Sequence, residues 1–361
     1  MDQLQKTPTI QDVARAANVS AATVSRALSR PERVSESTRA RISEAIHATG
    51  YTLNQAARSL RQRSTRTILV ALPDIRNHFF SSILDAIERE ATRRGYGMLV
   101  ASLYLGPETA RRLQDYMLSN RADGLLLFDG SLNPDTLNAI ARPPYSVPMV
   151  IACEDIPAAN FNTVVTDNIQ AAERATRHLL DLGHSRIAHI MGPESNVVAQ
   201  DRLTGFQLAM QRAGLTVPPE WILPGNFGMD SGFAAAERLI SFANCPTAVF
   251  AANDESAIGL LSGLRRHGLE CPRDISVVGF DDLGVAAHYA PPLTTMRQPR
   301  ETLGRMAAET LIDMLEEGEH IPAPVRIVLS SELIARESTG RPRQGDIPRL
   351  VANTVATHSA E

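Results

Sequence analysis

The stretch TIQDVARAANVSAATVSR, residues 9–26, decides how the first part of the chain folds. Ile10, Val13, Ala14 and Ala17 recur at helical spacing, so one face of the segment is apolar and has to be buried. Thr9 stands where an N-cap belongs, with a hydroxyl able to accept from a free N–H of the first turn. Asn18 follows the last periodic residue and tolerates the left-handed conformation that ends a helix. Ser20 is a second N-cap, and Ala21 to Ser29 reads as a second helix with Val24 and Leu28 facing inward. Two short helices joined by a tight turn make a helix-turn-helix, whose second helix fits the DNA major groove. On that helix Ala21, Ala22, Thr23, Ser25, Arg26 and Ser29 are the candidate contacts. They are small or donor-bearing groups able to approach phosphates and base edges.

Spacing of this kind is shared with any antiparallel helix pair. The charge distribution favours a polyanion. Residues 1–66 carry a net charge of +6 and the remainder −10, a split that the whole-chain value of −4 conceals. A basic module on an acidic body is an electrostatic footprint for nucleic acid.

At 361 residues, 43% hydrophobic and 21% charged, the chain has the composition of a soluble globular protein of two or three domains. No apolar run approaches the roughly 18–20 residues that span a bilayer, and the first residues, MDQLQKTPT, have no apolar signal core. The reading is a cytoplasmic protein without membrane contact. Cys153, Cys245 and Cys271 are odd in number and widely spaced, as idle thiols in a reducing compartment are. No metal-ligand spacing stands out; His184 and His189 read as solvent-facing or locally satisfied. Lys6 is the only lysine, which removes P-loop, Schiff-base and kinase-type chemistry. GxSxG, HExxH and GxGxxG are absent, so neither a catalytic residue nor a cofactor is expected.

Ser35 opens a third helix over about 35–49, with Ile42, Ala45 and Ile46 inward and Gly50 as its stop. Asn54 to Arg61 could add two helical turns, too few to be stable alone. Its Ala56, Ala57 and Leu60 form an apolar strip beside Arg58 and Arg61. That suits a hinge helix, about 54–61, which orders on DNA with Leu60 wedged into a base step of the minor groove. A solvated linker is the plainer reading. From Thr67 apolar strands alternate with amphipathic helices for nearly 280 residues, a pattern that implies parallel sheets with right-handed crossovers. That length suits two doubly wound lobes. The expected layout is a helical DNA-binding headpiece over 1–62, with the helix-turn-helix at about 9–29, and an α/β body over 67–338. The Pro/Gly-broken, polar tail over 339–361 is expected to be disordered.

Ligands of such folds sit at the carboxyl ends of the strands. Here those ends carry DIRNHFF (74–80), CED (153–155), PESNVVAQDR (193–202), Phe227, AAND (251–254), GFDD (279–282) and MRQP (296–299). Amides, carboxylates, a guanidinium and aromatic rings suit a polar ligand with hydroxyls and a flat face.

These residues resemble the LacI–GalR family of bacterial transcription regulators over about Pro8 to Arg336. The marks are TIQDVARAANVSAATVSRAL, VSESTRARI, GYTLNQAARSL, TDN (166–168), GHSRIAHIMGP, QDRLTGF, PTAVFAAND, ISVVGFDD and PLTTMRQP. TRTILVALPDIRNHFF is similar to the cytidine-repressor branch. The resemblance implies a homodimeric, allosteric regulator, most often a repressor. It would read a near-palindromic operator with Thr9, Ser20, Thr23, Ser25 and Arg26, while Ala21 and Ala22 set base choice. Asn54, Ala57, Leu60 and Arg61 match its hinge helix. It implies a sensor similar to periplasmic binding proteins, with lobe 1 over about 67–166 plus 299–330, lobe 2 over about 168–297 plus 331–338, and a pocket of Asn77, Phe79, Phe80, Glu154, Arg202, Phe227, Asn253, Asp281 and Gln298. Sugar binders often carry Asp-Arg where this chain has Cys153-Glu154, so a nucleoside stands beside a sugar as effector. Two rival readings share the sensor pattern: a transporter's solute-binding protein, which has no use for residues 9–60, and an α/β enzyme acting on a sugar or nucleoside.

Overall fold

A computed structural model of the chain describes residues 8–51, 64–103, 109–119, 121–130, 134–141, 147–156, 161–317 and 323–343. The expected hinge helix, with Asn54, Ala57, Leu60 and Arg61, lies outside the described residues, as does everything beyond 343. The chain divides into two compact units, Met1–Thr65 and Arg66–Glu361.

In the first unit, helices α1 (Ile10–Ala16), α2 (Ala21–Ser29) and α3 (Glu36–Thr49) surround a core of Val13, Ala14, Ala17, Val24, Ile42 and Ala45. Leu28 and Ile46 pack against it only partly buried. Asn18 takes a positive φ of 50° at the turn, and Gly50 one of 66° after α3, where a left-handed residue frees the chain to leave the helix. Ser20 caps α2 by accepting from the Thr23 amide at 3.1 Å. The cap of α1 is a capping box, in which the Thr9 side chain accepts from the backbone of Asp12, as expected, and Asp12 answers it. Asp12 reaches back to accept from the Thr9 amide at 2.9 Å and from the Thr9 hydroxyl at 2.7 Å. A carboxylate in the first turn also meets the positive end of the helix. Arg41 on α3 bonds the carbonyls of Ala17 and Asn18, fastening the third helix to the turn between the first two.

The second unit holds two six-stranded sheets. The first contains β1 (Thr67–Leu72), β2 (Gly97–Ser102), β3 (Gly124–Leu127), β4 (Met149–Cys153), β5 (Asn162–Thr166) and β11 (Arg326–Leu329), in the order β11-β5-β4-β3-β1-β2 and parallel throughout. Its inner strands β1, β3, β4 and β5 are buried on both faces, whereas the edge strands β2 and β11 are partly exposed. Helices α4 (Phe79–Arg93) and α11 (Arg300–Glu317) cover one side, and α5 (Thr109–Leu118) and α6 (Pro134–Ala141) the other.

The second sheet contains β6 (Ile187–Ile190), β7 (Ile222–Leu223), β8 (Ala248–Ala251), β9 (Ser276–Asp281), β10 (Thr294–Arg297) and β12 (Glu332–Ile334), in the order β12-β10-β9-β8-β6-β7. Helices α7 (Asn168–Asp181) and α8 (Val197–Arg212) pack on one face, and α9 (Met229–Ser241) and α10 (Asp254–Arg266) on the other. The pairings are parallel except β10 with β12, which is antiparallel. The βα alternation gives no hint of that edge strand. It forms because the chain leaves β11 in one sheet and enters the other within three residues. Passages between the lobes fall at 166–168, 297–300 and 329–332.

For residues 339–343 the expectation of disorder is corrected; the rest of the tail lies outside the described residues. Ser338 is fully buried; its carbonyl accepts from Val277 N at 2.8 Å and its hydroxyl accepts from Thr294 N. Beyond it, His178 bonds the Thr339 hydroxyl at 3.0 Å, His184 approaches the Gly340 carbonyl at 2.9 Å, and Arg343 pairs with Asp274 at 2.8 Å. His184 is therefore buried, its two ring nitrogens also meeting Thr247 and Ser276, and not solvent-facing. His189 is fully buried between the rings of Phe206 and Phe250, and burial pushes its imidazole down to about 4. Pro and Gly broke the tail's pattern in sequence, but partners so distant in the chain leave no local signal.

Candidate functional site

In the first unit the outward side of α2 is a stripe of Ala22, Arg26 and Ser29, all exposed and spaced to lie along one helix face. Thr23 and Ser25 are half-buried, and Ala21 packs partly against the core, which leaves it less open than its sequence position suggested. The Thr23 hydroxyl lies 2.8 Å from that of Ser20, and the Ser29 hydroxyl donates to the Ser25 carbonyl. Small side chains along this face let the helix backbone approach a groove closely, and Arg26 provides a forked donor able to meet a phosphate or a guanine edge.

In the second unit a cavity of about 870 Å³ opens at the carboxyl ends of both sheets. Asn77, Phe79, Phe80, Glu154, Arg202, Phe227, Asn253, Asp281 and Gln298 all line it, so the structure brings together the nine residues expected there. Arg202, on α8, is buried. Its Nε donates to Asn168 Oδ1 at 3.0 Å, its Nη1 to the Ala252 carbonyl, and its Nη2 lies 3.8 Å from Asp281. The guanidinium stacks 3.8 Å from the Phe280 ring centroid and 5.9 Å from that of Phe227. Gln298 Nε2 donates to Asp281 at 2.7 Å. Burial pushes the Asp281 carboxyl up to about 6, against the downward pull of Arg202 and Gln298. Asn253 caps α10 through Ser256 and donates to the Phe227 carbonyl at 2.8 Å.

Three residues of the wall hold positive φ: Cys153 at 70°, Phe227 at 64° and Asp281 at 114°. Such conformations cost free energy and persist where surrounding contacts enforce them, as at ligand clamps. The Phe227 ring lies over Gly192, where any β-carbon would overlap it.

Residues 9–54 match the model for bacterial regulatory proteins of the lacI family, and 176–339 that for a periplasmic binding protein-like domain. The HTH-type transcriptional repressor CytR of Escherichia coli K12 is 38% identical over 331 residues, 92% of this chain and 96% of that protein. The chain belongs to the lacI family of bacterial regulatory proteins. The lac repressor dimer bound to operator and the anti-inducer ONPF superposes with a TM-score of 0.83 at 29% identity, over 93% of this chain and all of that one. A LacI family regulator from Enterococcus faecium with bound ribose gives 0.69 at 28% identity, over 77% of this chain and all of that one.

As a lacI family member the chain is a DNA-binding transcriptional regulator under small-molecule control, built as a helix-turn-helix headpiece and a periplasmic-binding-protein-like sensor of two sheets. The transporter and enzyme readings give way, because CytR matches headpiece and sensor together and is a repressor.

Several further cavity residues were not singled out from the sequence, although Asp74, Arg76 and Asn196 fall in the strand-end loops named above. Asp74 clamps Arg76 through both carboxylate oxygens, with contacts of 2.8 to 3.1 Å, and the charged hydrogen bond holds the Asp74 carboxyl below its ordinary range. Phe128 meets Phe80 edge-on at 5.9 Å, completing an aromatic wall with Phe79. Asp129, Glu255, Asn226 and Asn196 add further polar groups. Asn196 had a readable signal as the N-cap of α8, but its second role depends on Glu154, 42 residues earlier. Glu154 Oε1 accepts from Asn196 Nδ2 at 3.0 Å and Oε2 from the Gly130 amide at 2.8 Å. Burial raises its carboxyl to about 7, helped by Asp129 and opposed by those two hydrogen bonds and by Arg202.

Proposed function

We propose that this regulator is a dimeric, cytoplasmic repressor that binds operator DNA through Ser20, Ala22, Arg26 and Ser29. Its cavity takes an uncharged metabolite with several hydroxyls and a flat ring, a nucleoside or a sugar, through the nine residues named above. The single observation behind the effector class is the balance of the cavity wall. Five carboxylates, Asp74, Asp129, Glu154, Glu255 and Asp281, face it against two arginines. Both arginines are engaged, Arg76 by Asp74 and Arg202 by Asn168, Ala252 and Asp281. A phosphate entering there would find carboxylates and no uncommitted cation among the wall residues. Amides and carboxylates suit hydroxyls, and Phe79, Phe80, Phe128 and Phe227 suit a ring or the apolar face of a pyranose or furanose. The ribose held by the Enterococcus regulator supports a sugar moiety, and Glu154 in the place of a sugar binder's arginine supports a base beside it.

Effector control requires unequal affinity for two states, typically about 1–3 kcal/mol of coupling, or roughly 5–150-fold in operator occupancy. The test is a thermal-shift screen of full-length protein against cytidine, uridine, adenosine, ribose, cellobiose, the nucleoside 5′-phosphates and ribose 5-phosphate. Hits are then titrated into an operator complex. A nucleoside or sugar should raise the melting temperature by mass action. A phosphorylated compound stabilising more strongly than its parent would overturn the reading.

A further inference from the structure

The contact between Asn196 and Glu154 joins the two lobes. Glu154 follows β4 in the first sheet, and Asn196 opens α8, which packs on the second. Both face the cavity. The Asn196 carboxamide is used at both ends: Oδ1 accepts from the Ala199 amide at 3.0 Å, capping the helix that carries Arg202, and Nδ2 donates to Glu154 at 3.0 Å. Glu154 is held from its own lobe by Gly130, whose missing side chain leaves room for the carboxylate. Among the described residues His78 also reaches across to Glu255 at 3.4 Å, but that histidine is mostly exposed and the pair is a surface contact of little strength.

We propose that Asn196 is a positioning residue for the effector site: by capping α8 and holding Glu154 at once, it latches the lobes together and sets how readily the cavity opens. This rests on the reading of the cavity as the effector site, but its test needs no effector. Asparagine suits this position because its carboxamide accepts at the helix N-terminus through Oδ1 while its Nδ2 reaches on to donate to the carboxylate. Serine keeps the cap and loses the reach to Glu154. Aspartate keeps the cap and sets one carboxylate against another until a proton is shared between them. The other ionisable groups facing Glu154 are Asp129, Arg202 and Cys153.

Cys153 lines the cavity, is half-buried and is free, so its alkylation by iodoacetamide reports opening. Cys245 and Cys271, packed against the core of the second lobe, serve as internal references. Labelling of full-length protein, mapped by mass spectrometry and expressed relative to wild type at each pH, should be about two- to tenfold faster in Asn196→Ser, the effect of one lost hydrogen bond. Asn196→Asp should exceed that above about pH 7, even though its added charge disfavours the thiolate, and return towards wild type near about pH 5.5 as the carboxyl pair takes up a proton. Wild-type labelling rates in both variants would overturn the latch. So would an aspartate variant that tracks the serine variant at every pH. If labelling responds as stated while no nucleoside or sugar binds, the effector reading fails and the latch stands.

Discussion

Arg26 and Arg202 are the same side chain put to opposite uses. Arg26 lies exposed on α2, beside residues too small to shield it. Arg202 is buried among Asn168, Ala252, Asp281 and the Phe280 ring. Recognition of a polyanion works with a charge left in water until its partner arrives, because the partner brings compensating charge and releases counterions. Recognition of an uncharged metabolite works with polar groups already desolvated and already bonded to one another, so that little reorganisation remains when the ligand enters. Damage should therefore appear in stability at the cavity and in affinity at the headpiece.

The largest effect is expected from Arg202→Ala. It leaves Asp281 buried with Gln298 as its one remaining donor and frees the Asn168 and Ala252 oxygens. Removing one partner of a buried pair costs about 3–5 kcal/mol. Denaturant unfolding should show this in the sensor's transition, together with loss of effector response. The Asp281 carboxyl, already raised to about 6, should rise further once its cation is gone. A carboxyl raised in the folded state contributes stability that grows as pH falls through its folded value. The variant's deficit should therefore shrink from about pH 8 to pH 5. Arg202→Lys keeps a charge there but loses the fork, and should recover stability better than ligand response. A variant melting with wild type would show that the buried network carries no strain from its missing member, and the contrast between the two arginines would fall.

Arg26→Ala sharpens the same contrast from the other side. The melting of the headpiece should be unchanged, since Arg26 is exposed and outside the core of Val13, Val24 and Ile42. Operator affinity should fall by about 1–3 kcal/mol if the guanidinium reads a base, with a smaller loss on random duplex. Equal losses on both, with a salt dependence shallower by about one unit, would reassign Arg26 to a phosphate. Fluorescence anisotropy at matched salt separates the two outcomes.

What could be read in the sequence follows from how local each signal is. Val13, Ala14, Ala17 and Val24 announced the headpiece core because a helix repeats its inward positions every three or four residues. The cavity was legible because doubly wound sheets place ligands at their strand ends, and the loops after β1, β4, β6, β8, β9 and β10 carry amides, carboxylates and rings. The bond from Asn196 to Glu154, the pairing of Arg343 with Asp274 and the burial of His184 under Gly340 were not legible. In each, residues dozens of positions apart meet through the packing of whole elements, and each residue has an ordinary local role that hides its distant one. The cap of α1 shows the limit at short range: Thr9 was legible as the N-cap, but the return bond from Asp12 to the Thr9 amide was not read.

The smallest effect tests whether affinity and stability can be separated at one atom. Ser20 Oγ accepts from the Thr23 amide at 3.1 Å and meets the Thr23 hydroxyl at 2.8 Å, while the residue itself is exposed at the start of α2. Ser20→Ala should cost the headpiece about 1 kcal/mol through the lost cap, whereas Ser20→Gly should cost only a few tenths, because glycine lets water and backbone satisfy the free amide. Both remove the hydroxyl that would meet a phosphate. If Ser20 contacts DNA, alanine and glycine should weaken operator binding alike, despite melting at different temperatures. If its role is confined to the cap, operator affinity should follow headpiece stability and the glycine variant should bind almost as wild type. The first pattern extends the DNA-facing surface to the helix N-terminus. The second confines it to the stripe of Ala22, Arg26 and Ser29, and draws the boundary between holding the reading helix and reading with it at a single hydroxyl.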